Sequence, residues 1–128
     1  MNALRPAAAA FSTALLFAAA SSAQDWDCTD AGNLPQQGMN MCAHKDFERA
    51  DRALNVAWKG AWGDVQKTKG QVHPLLQAQR AWIAYRESQC EAEGRSFEGG
   101  SLQPFINSSC MARMTRQRTE ELLIYQDK

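Results

Sequence analysis

The sequence predicts an all-α fold: a small three-helix, mostly antiparallel bundle with an N-terminal arm, stapled by two disulfides. Three observations predict it. Apolar residues recur at steps of three and four from Met39 onward, which is the period of a helix face. No segment sustains the period-two alternation of a strand. Four cysteines, Cys28, Cys42, Cys90 and Cys110, follow an export leader, and an even cysteine count in an exported chain reads as a disulfide framework.

The leader covers residues 1–23. Arg5 supplies the positive start, Ala7 to Ala20 the small and apolar run, and Ser21, Ser22 and Ala23 the small residues of a cleavage site before Gln24. This is the three-part signal-peptide pattern. The run is too short and too rich in alanine to span a hydrocarbon core of about 30 Å. Trp26 and Asp27 precede Cys28, where a lipid-anchored chain needs small apolar residues. No stable membrane anchor is therefore expected after cleavage, and the protein is expected in the periplasm or outside the cell. Removing 23 residues from 128 leaves 105, residues 24–128, which form one domain small enough to profit from staples.

The four cysteines allow three pairings. Cys28–Cys42 and Cys90–Cys110 each close a short local segment and are the favoured pair. Each is worth about 3 kcal/mol on loop-entropy reasoning. There is no C-x-x-C, and the spacings do not match a zinc site. Neither a metal nor a cofactor is expected.

The first helix begins near Pro35, whose missing donor costs nothing in a first turn. Its seam is Met39, Ala43, Phe47, Ala50, Leu54, Trp58, Ala61 and Val65. This heptad-like spacing suits a helix lying along partners. Gly60 and Gly63 weaken it locally. Lys67 and Lys69 suit its negative end, with Gly70 as the left-handed cap. The second helix opens at His73–Pro74. Its face is Leu75, Ala78, Trp82 and Tyr85, widened by Leu76 and Ile83, and Gly94 marks its end. A loop over Arg95 to Ser101 follows, with Gly99 and Gly100 free to adopt positive φ. The third helix carries Ile106, Cys110, Met114, Leu122 and Tyr125, with polar Arg118 at the intervening seam position.

Charge narrows the function little. The leader's Arg5 comes out of fourteen basic and fourteen acidic residues, leaving the mature chain at −1. Acids dominate up to Gln66 and bases after it. Arg113, Arg116 and Arg118 are too few to make the basic stripe that nucleic acid requires. An enzyme is not expected. His44 and His73 stand in no triad or ligand pattern, and oxidised cysteines offer no thiol nucleophile. Glu91/Glu93 and Glu120/Glu121 are spaced so that they do not converge on one helix face.

Several fragments stand in a telling order: Met39-Asn40 with Cys42, Ala50-Asp51 with Leu54-Asn55, and Ala78-Gln79-Arg80-Ala81-Trp82 with Tyr85-Arg86 and Cys90. Gly99-Gly100-Ser101, Cys110, and Thr115 with Arg118 and Glu121-Leu122 follow. This string resembles the LprI N-terminal domain family, named after a mycobacterial lysozyme inhibitor, over roughly Cys28 to Tyr125. The resemblance implies an exported, disulfide-bonded helical domain whose partner is a lysozyme-type muramidase. An alternative is a structural or interaction module of the cell envelope without that partner. Two departures stand out: Trp58 where the family favours tyrosine, and Gly38 where an acid is common.

The polar members of the matching motifs are Asp51, Asn55, Gln79, Arg80, Arg86, Arg118 and Glu121. They read either as a network fixing helix register or as a recognition patch. Ser101 reads as the cap of the third helix. With Gly99 and Gly100 it also reads as a partner-binding loop, entering a cleft that holds two carboxylates. Trp58 and Trp82 belong to the core, Trp62 is half exposed, and Trp26 reads either as an anchor of the N-terminal arm or as a residue facing a partner. Animal lysozymes are basic, so an inhibitor of one is expected to present an acidic face.

Overall fold

The computed structural model describes residues 24–67 and 72–126. The leader, Lys69 and Gly70 lie outside these residues. A short 3-10 turn, η1 (Cys28–Asn33), leads into α1 (Gln36–Val65), α2 (Val72–Arg95) and α3 (Gln103–Leu123). There is no strand among the described residues. Both favoured disulfides form, Cys28–Cys42 and Cys90–Cys110.

The third helix is the centre of the molecule. It lies along α1 and also packs on α2, while α1 and α2 barely touch each other. The expected α1 seam is the packed one. Ala43, Ala50, Leu54, Ala61 and Val65 are buried, joined by Cys42 and Ala57, and Met39, Phe47 and Trp58 are half-buried. The alanines allow α1 and α3 to approach closely.

On α2 the packed face is the expected one only at Leu75 and Trp82. Ala78 is exposed, Tyr85 is 57% exposed and Ile83 37%. Leu75, Gln79, Arg86 and Cys90 are the buried positions, with Trp82 half-buried between them. Their spacing is helical, but two of the inward residues are polar. Apolarity alone therefore rotated the predicted face toward solvent.

The core is layered along the bundle. At one end Leu54, Ala57, Ala61, Val65, Leu75 and Leu122 form an apolar cluster flanked by Trp58, Trp82 and Tyr125. At the other end Cys90, Cys110 and Met114 form a sulfur-rich cluster, in which Met114 Sδ lies 3.7 Å from Cys90 Sγ and 3.9 Å from Cys110 Sγ. A polar layer separates them.

The two departures from the family pattern have local reasons. Gly38 is buried beneath Trp26, and a Cβ placed there would stand 3.0 Å from the Trp26 ring and from Leu34. A glycine here lets the arm lie down on α1. Trp58 stacks on Trp62 with ring centroids 5.4 Å apart, a contact a smaller ring would make less of. Gly60 leaves room for Gln126, whose Nε2 donates to the Ala57 carbonyl at 2.9 Å.

Candidate partner-binding site

The polar layer is built on Arg86. Its side chain is 8% exposed. The guanidinium lies 4.9 Å from the Trp82 ring centroid and 5.4 Å from that of Phe47. Its Nη1 donates to Thr115 Oγ1 at 2.9 Å and reaches Asp51 Oδ1 at 3.5 Å. The Nε is buried without an acceptor. Asp51 in turn accepts from Asn55 Nδ2, at its carbonyl and its carboxylate. A second arm runs beside the first. Arg118 Nε donates to Gln79 Oε1 at 2.9 Å, and Nη1 donates to Glu121 at 2.7 Å. Arg118 also approaches the Trp82 ring, at 5.9 Å.

Six of the seven motif residues thus meet around one tryptophan. The seventh, Arg80, points to solvent and joins neither arm. Three partners of this layer were not among the predicted polar residues: Phe47, Trp82 and Thr115. Thr115 is wholly buried. It belongs to one of the sequence motifs, but its hydroxyl gains a role only because Arg86 turns inward.

The loop between α2 and α3 lies at the sulfur-rich end. Gly99 adopts φ +76°, the left-handed region that favours glycine. Ser101 does not cap α3. Leu102 holds the cap position, and no side chain bonds there. The Ser101 carbonyl instead accepts from Asn40 Nδ2 at 3.0 Å, which ties the tip to the start of α1 and leaves the Ser101 hydroxyl exposed.

Beside this loop α1 and α2 splay apart over α3 and leave a groove of about 280 Å³. Phe47 and Met111 line it with the buried Cys90, and Glu87 and Glu91 stand at its edge.

Surface charges are mostly neutralised. Asp46 accepts from Arg116 at 2.9 Å and from Arg49 at 3.1 Å. Partial burial pushes the Asp46 carboxyl up, but the two arginines outweigh it and hold the carboxyl below its ordinary value. Glu93 is also lowered, first by a hydrogen bond from Gln89 and then by Arg113, against slight desolvation. Asp27 is lowered by the backbone N–H and hydroxyl of Thr29. Asp25 pairs with Lys45 and Asp64 with Lys67, both at 2.6 Å. Among the described residues no helix is long and apolar enough to cross a membrane.

Comparison with known proteins places this architecture. The model of a family described as Lysozyme inhibitor LprI matches residues 28–122, a span that takes in all three helices and both disulfides. An uncharacterized protein of Rhizobium meliloti (strain 1021) is 38% identical over 132 aligned residues, covering 93% of this chain and 94% of the relative. No solved structure matches.

Proposed function

This chain belongs to the Lysozyme inhibitor LprI family, and from that premise we propose that it is an exported protein that binds a lysozyme-type muramidase and blocks its cleft. The observation that carries the reading is the family match over the whole disulfide-bonded bundle. Export through the leader of residues 1–23 belongs to the same reading, because two disulfides form and persist in an oxidising compartment.

The blocking element is the tip Gly99-Gly100-Ser101. Its left-handed glycine makes the turn, all three residues are exposed, and the Ser101 hydroxyl is not spent on capping. Asn40 holds the tip from α1, and a held tip loses less entropy on binding. The Gly99 and Gly100 N–H groups are engaged within the loop, by Gln103 Oε1 at 3.4 Å and the Phe97 carbonyl at 3.0 Å, so it is the Ser101 hydroxyl that is suited to the paired carboxylates of a muramidase cleft.

A cell-wall turbidity assay with the purified, oxidised protein tests this. Inhibition at micromolar concentration is expected, and its loss on replacing Gly99, Gly100 and Ser101 together, with unchanged thermal unfolding. No binding at micromolar concentration sinks the reading for that muramidase. Inhibition by the loop variant removes the loop from the mechanism.

One observation favours the alternative, an envelope interaction module without a muramidase partner. Most carboxylates on the described surface are neutralised by a neighbouring cation, so no broad acidic face meets a basic enzyme. The same titration separates the two readings.

A further inference from the structure

Neutralisation of the surface has an exception beside the loop. Glu87 has no partner among the described residues, and Glu48 faces only His44, at 3.5 Å. Glu91 pairs with Arg95 at 2.7 Å, but both side chains are over 60% exposed, and an exposed pair of this kind exchanges partners at little cost. Glu87 and Glu91 line the groove between α1, α2 and α3, together with His44, the neighbour of Glu48. The floor beneath them is apolar, made by Phe47, Met111 and the Cys90 end of the disulfide.

We propose that this groove seats an arginine or lysine side chain of the partner, its aliphatic stem on Phe47 and Met111 and its charged head on Glu87 and Glu91. That the partner is a basic muramidase rests on the function proposed above.

Three features select this occupant. The groove's volume, about 280 Å³, lies just under the roughly 300 Å³ at which small-molecule sites begin, and suits a single long side chain. An apolar floor under a carboxylate rim matches a side chain that buries its stem and keeps its head at the edge. The groove also holds an acceptor in want of a donor. Asn107 lines it, and its Oδ1 is buried without a hydrogen bond, pressed toward Gly94. Turning the Asn107 amide toward an incoming N–H gives that oxygen a partner. The Arg86 guanidinium on Phe47 does not repel the newcomer strongly, since Asp51 stands 3.5 Å from it. Position agrees with chemistry: Asn40, which holds the loop tip, is one turn before His44 at the groove wall. A tip inserted in a cleft brings the groove against the surface beside that cleft.

The test uses N-acetyl-arginine amide and its neutral isostere N-acetyl-citrulline amide, titrated into the full mature chain and followed by NMR. The arginine amide is expected to shift the Met111 methyl and the Asn107 side-chain amide, and the citrulline amide to leave them in place. Glu87→Lys is expected to weaken the arginine response about tenfold. Glu120→Lys, which makes the same charge change at an exposed position on α3, is expected to leave it unchanged. Equal shifts with both amides, no shift at Met111, or equal loss in the two variants overturns the groove. Muramidase inhibition separates the two readings. A chain that takes the arginine amide but inhibits no muramidase overturns the proposed function and leaves the groove standing. A chain whose Glu87→Lys variant inhibits as well as the parent overturns the groove as a partner site and leaves inhibition standing.

Discussion

Truncating Arg86 separates packing from charge in the middle of this bundle. Arg86→Ala removes two cation–ring contacts, each about 1 kcal/mol or more when desolvated. It also leaves the Thr115 hydroxyl buried without its 2.9 Å donor, a loss of about 1–2 kcal/mol. Against this, a buried charge disappears, and with it an Nε that has no acceptor. Asp51 does not become an isolated buried charge, because its side chain is 41% exposed and water solvates it. The balance is a destabilisation of about 2–3 kcal/mol. Arg86→Met keeps a stem between the Phe47 and Trp82 rings and adds sulfur–aromatic contact. Like alanine it removes the desolvation penalty and leaves Thr115 without its donor, so the two variants differ by the retained stem, and the cost of Met is about 1 kcal/mol. With a urea slope near 1.5 kcal/mol/M, the Ala midpoint falls by about 1.5–2 M and the Met midpoint by about 0.5 M. Tryptophan fluorescence during urea unfolding reads both. Equal losses in the two variants would mean that the charge rather than the packing holds the layer.

Other expectations follow from the same geometry. Replacing Cys90 and Cys110 with alanine, which opens a link of sequence separation 20, is expected to cost about 3 kcal/mol, more than the same change at Cys28 and Cys42, because both Cys90 and Cys110 are almost fully buried; thermal unfolding of the two variants compares them. Gly38→Glu is expected to lift the arm off α1, since even a Cβ meets the Trp26 ring at 3.0 Å; faster proteolysis before Cys28 with an intact helical circular dichroism spectrum would show it. Asp46 has a folded pKa below its unfolded value of 3.8, so its contribution to stability is fully present above that value and is lost as pH falls through the folded one. Asp46→Asn is therefore expected to lower the urea midpoint at pH 7 and to match the parent near pH 2; a constant difference across the range would count against the pairing with Arg49 and Arg116.

What the sequence made legible was what apolar spacing and cysteine chemistry carry. The α1 seam was readable because alanines and leucines at helical steps have no better place than a core. The disulfides were readable because each closes a local segment. The face of α2 was readable only at Leu75 and Trp82, and the reason is physical. Its inward stripe contains Gln79 and Arg86, which become inward residues only through partners on other helices: Arg118 for the first, Thr115 and the Phe47 ring for the second. Tyr85 and Ile83 look like core residues in isolation, but α2 packs almost wholly on α3 and needs only a narrow stripe. Ser101 failed as a cap for a similar reason. Its carbonyl is engaged by Asn40, 61 residues earlier, a contact outside any local rule. Arg80 lies within the most specific motif and yet faces solvent, so motif membership did not predict burial.

The layering bears on how such a small domain can hold an ordered loop and groove at one end. Its larger apolar cluster sits at the end remote from the loop. At the loop end the buried cluster is little more than a disulfide and Met114. Hydrophobic burial alone would leave that end free to open, since local stability follows the density of buried apolar contacts. Covalent links replace the missing burial: Cys28–Cys42 fixes the arm on α1, and Cys90–Cys110 fixes the α2–α3 hairpin just below the tip. The Arg86 layer then couples all three helices at the boundary between the two clusters. A loop and groove held this way are ordered before any partner arrives, which lowers the entropy lost on binding. The same arrangement makes the loop end depend on oxidation, so reduction should loosen it before the remote apolar cluster unfolds. Hydrogen exchange under mild reductant reads this directly, with early loss of protection expected near Gly94 and Asn107 and late loss near Leu54 and Leu122; simultaneous loss at both ends would mean that the clusters are one cooperative unit and that the staples do no separate work.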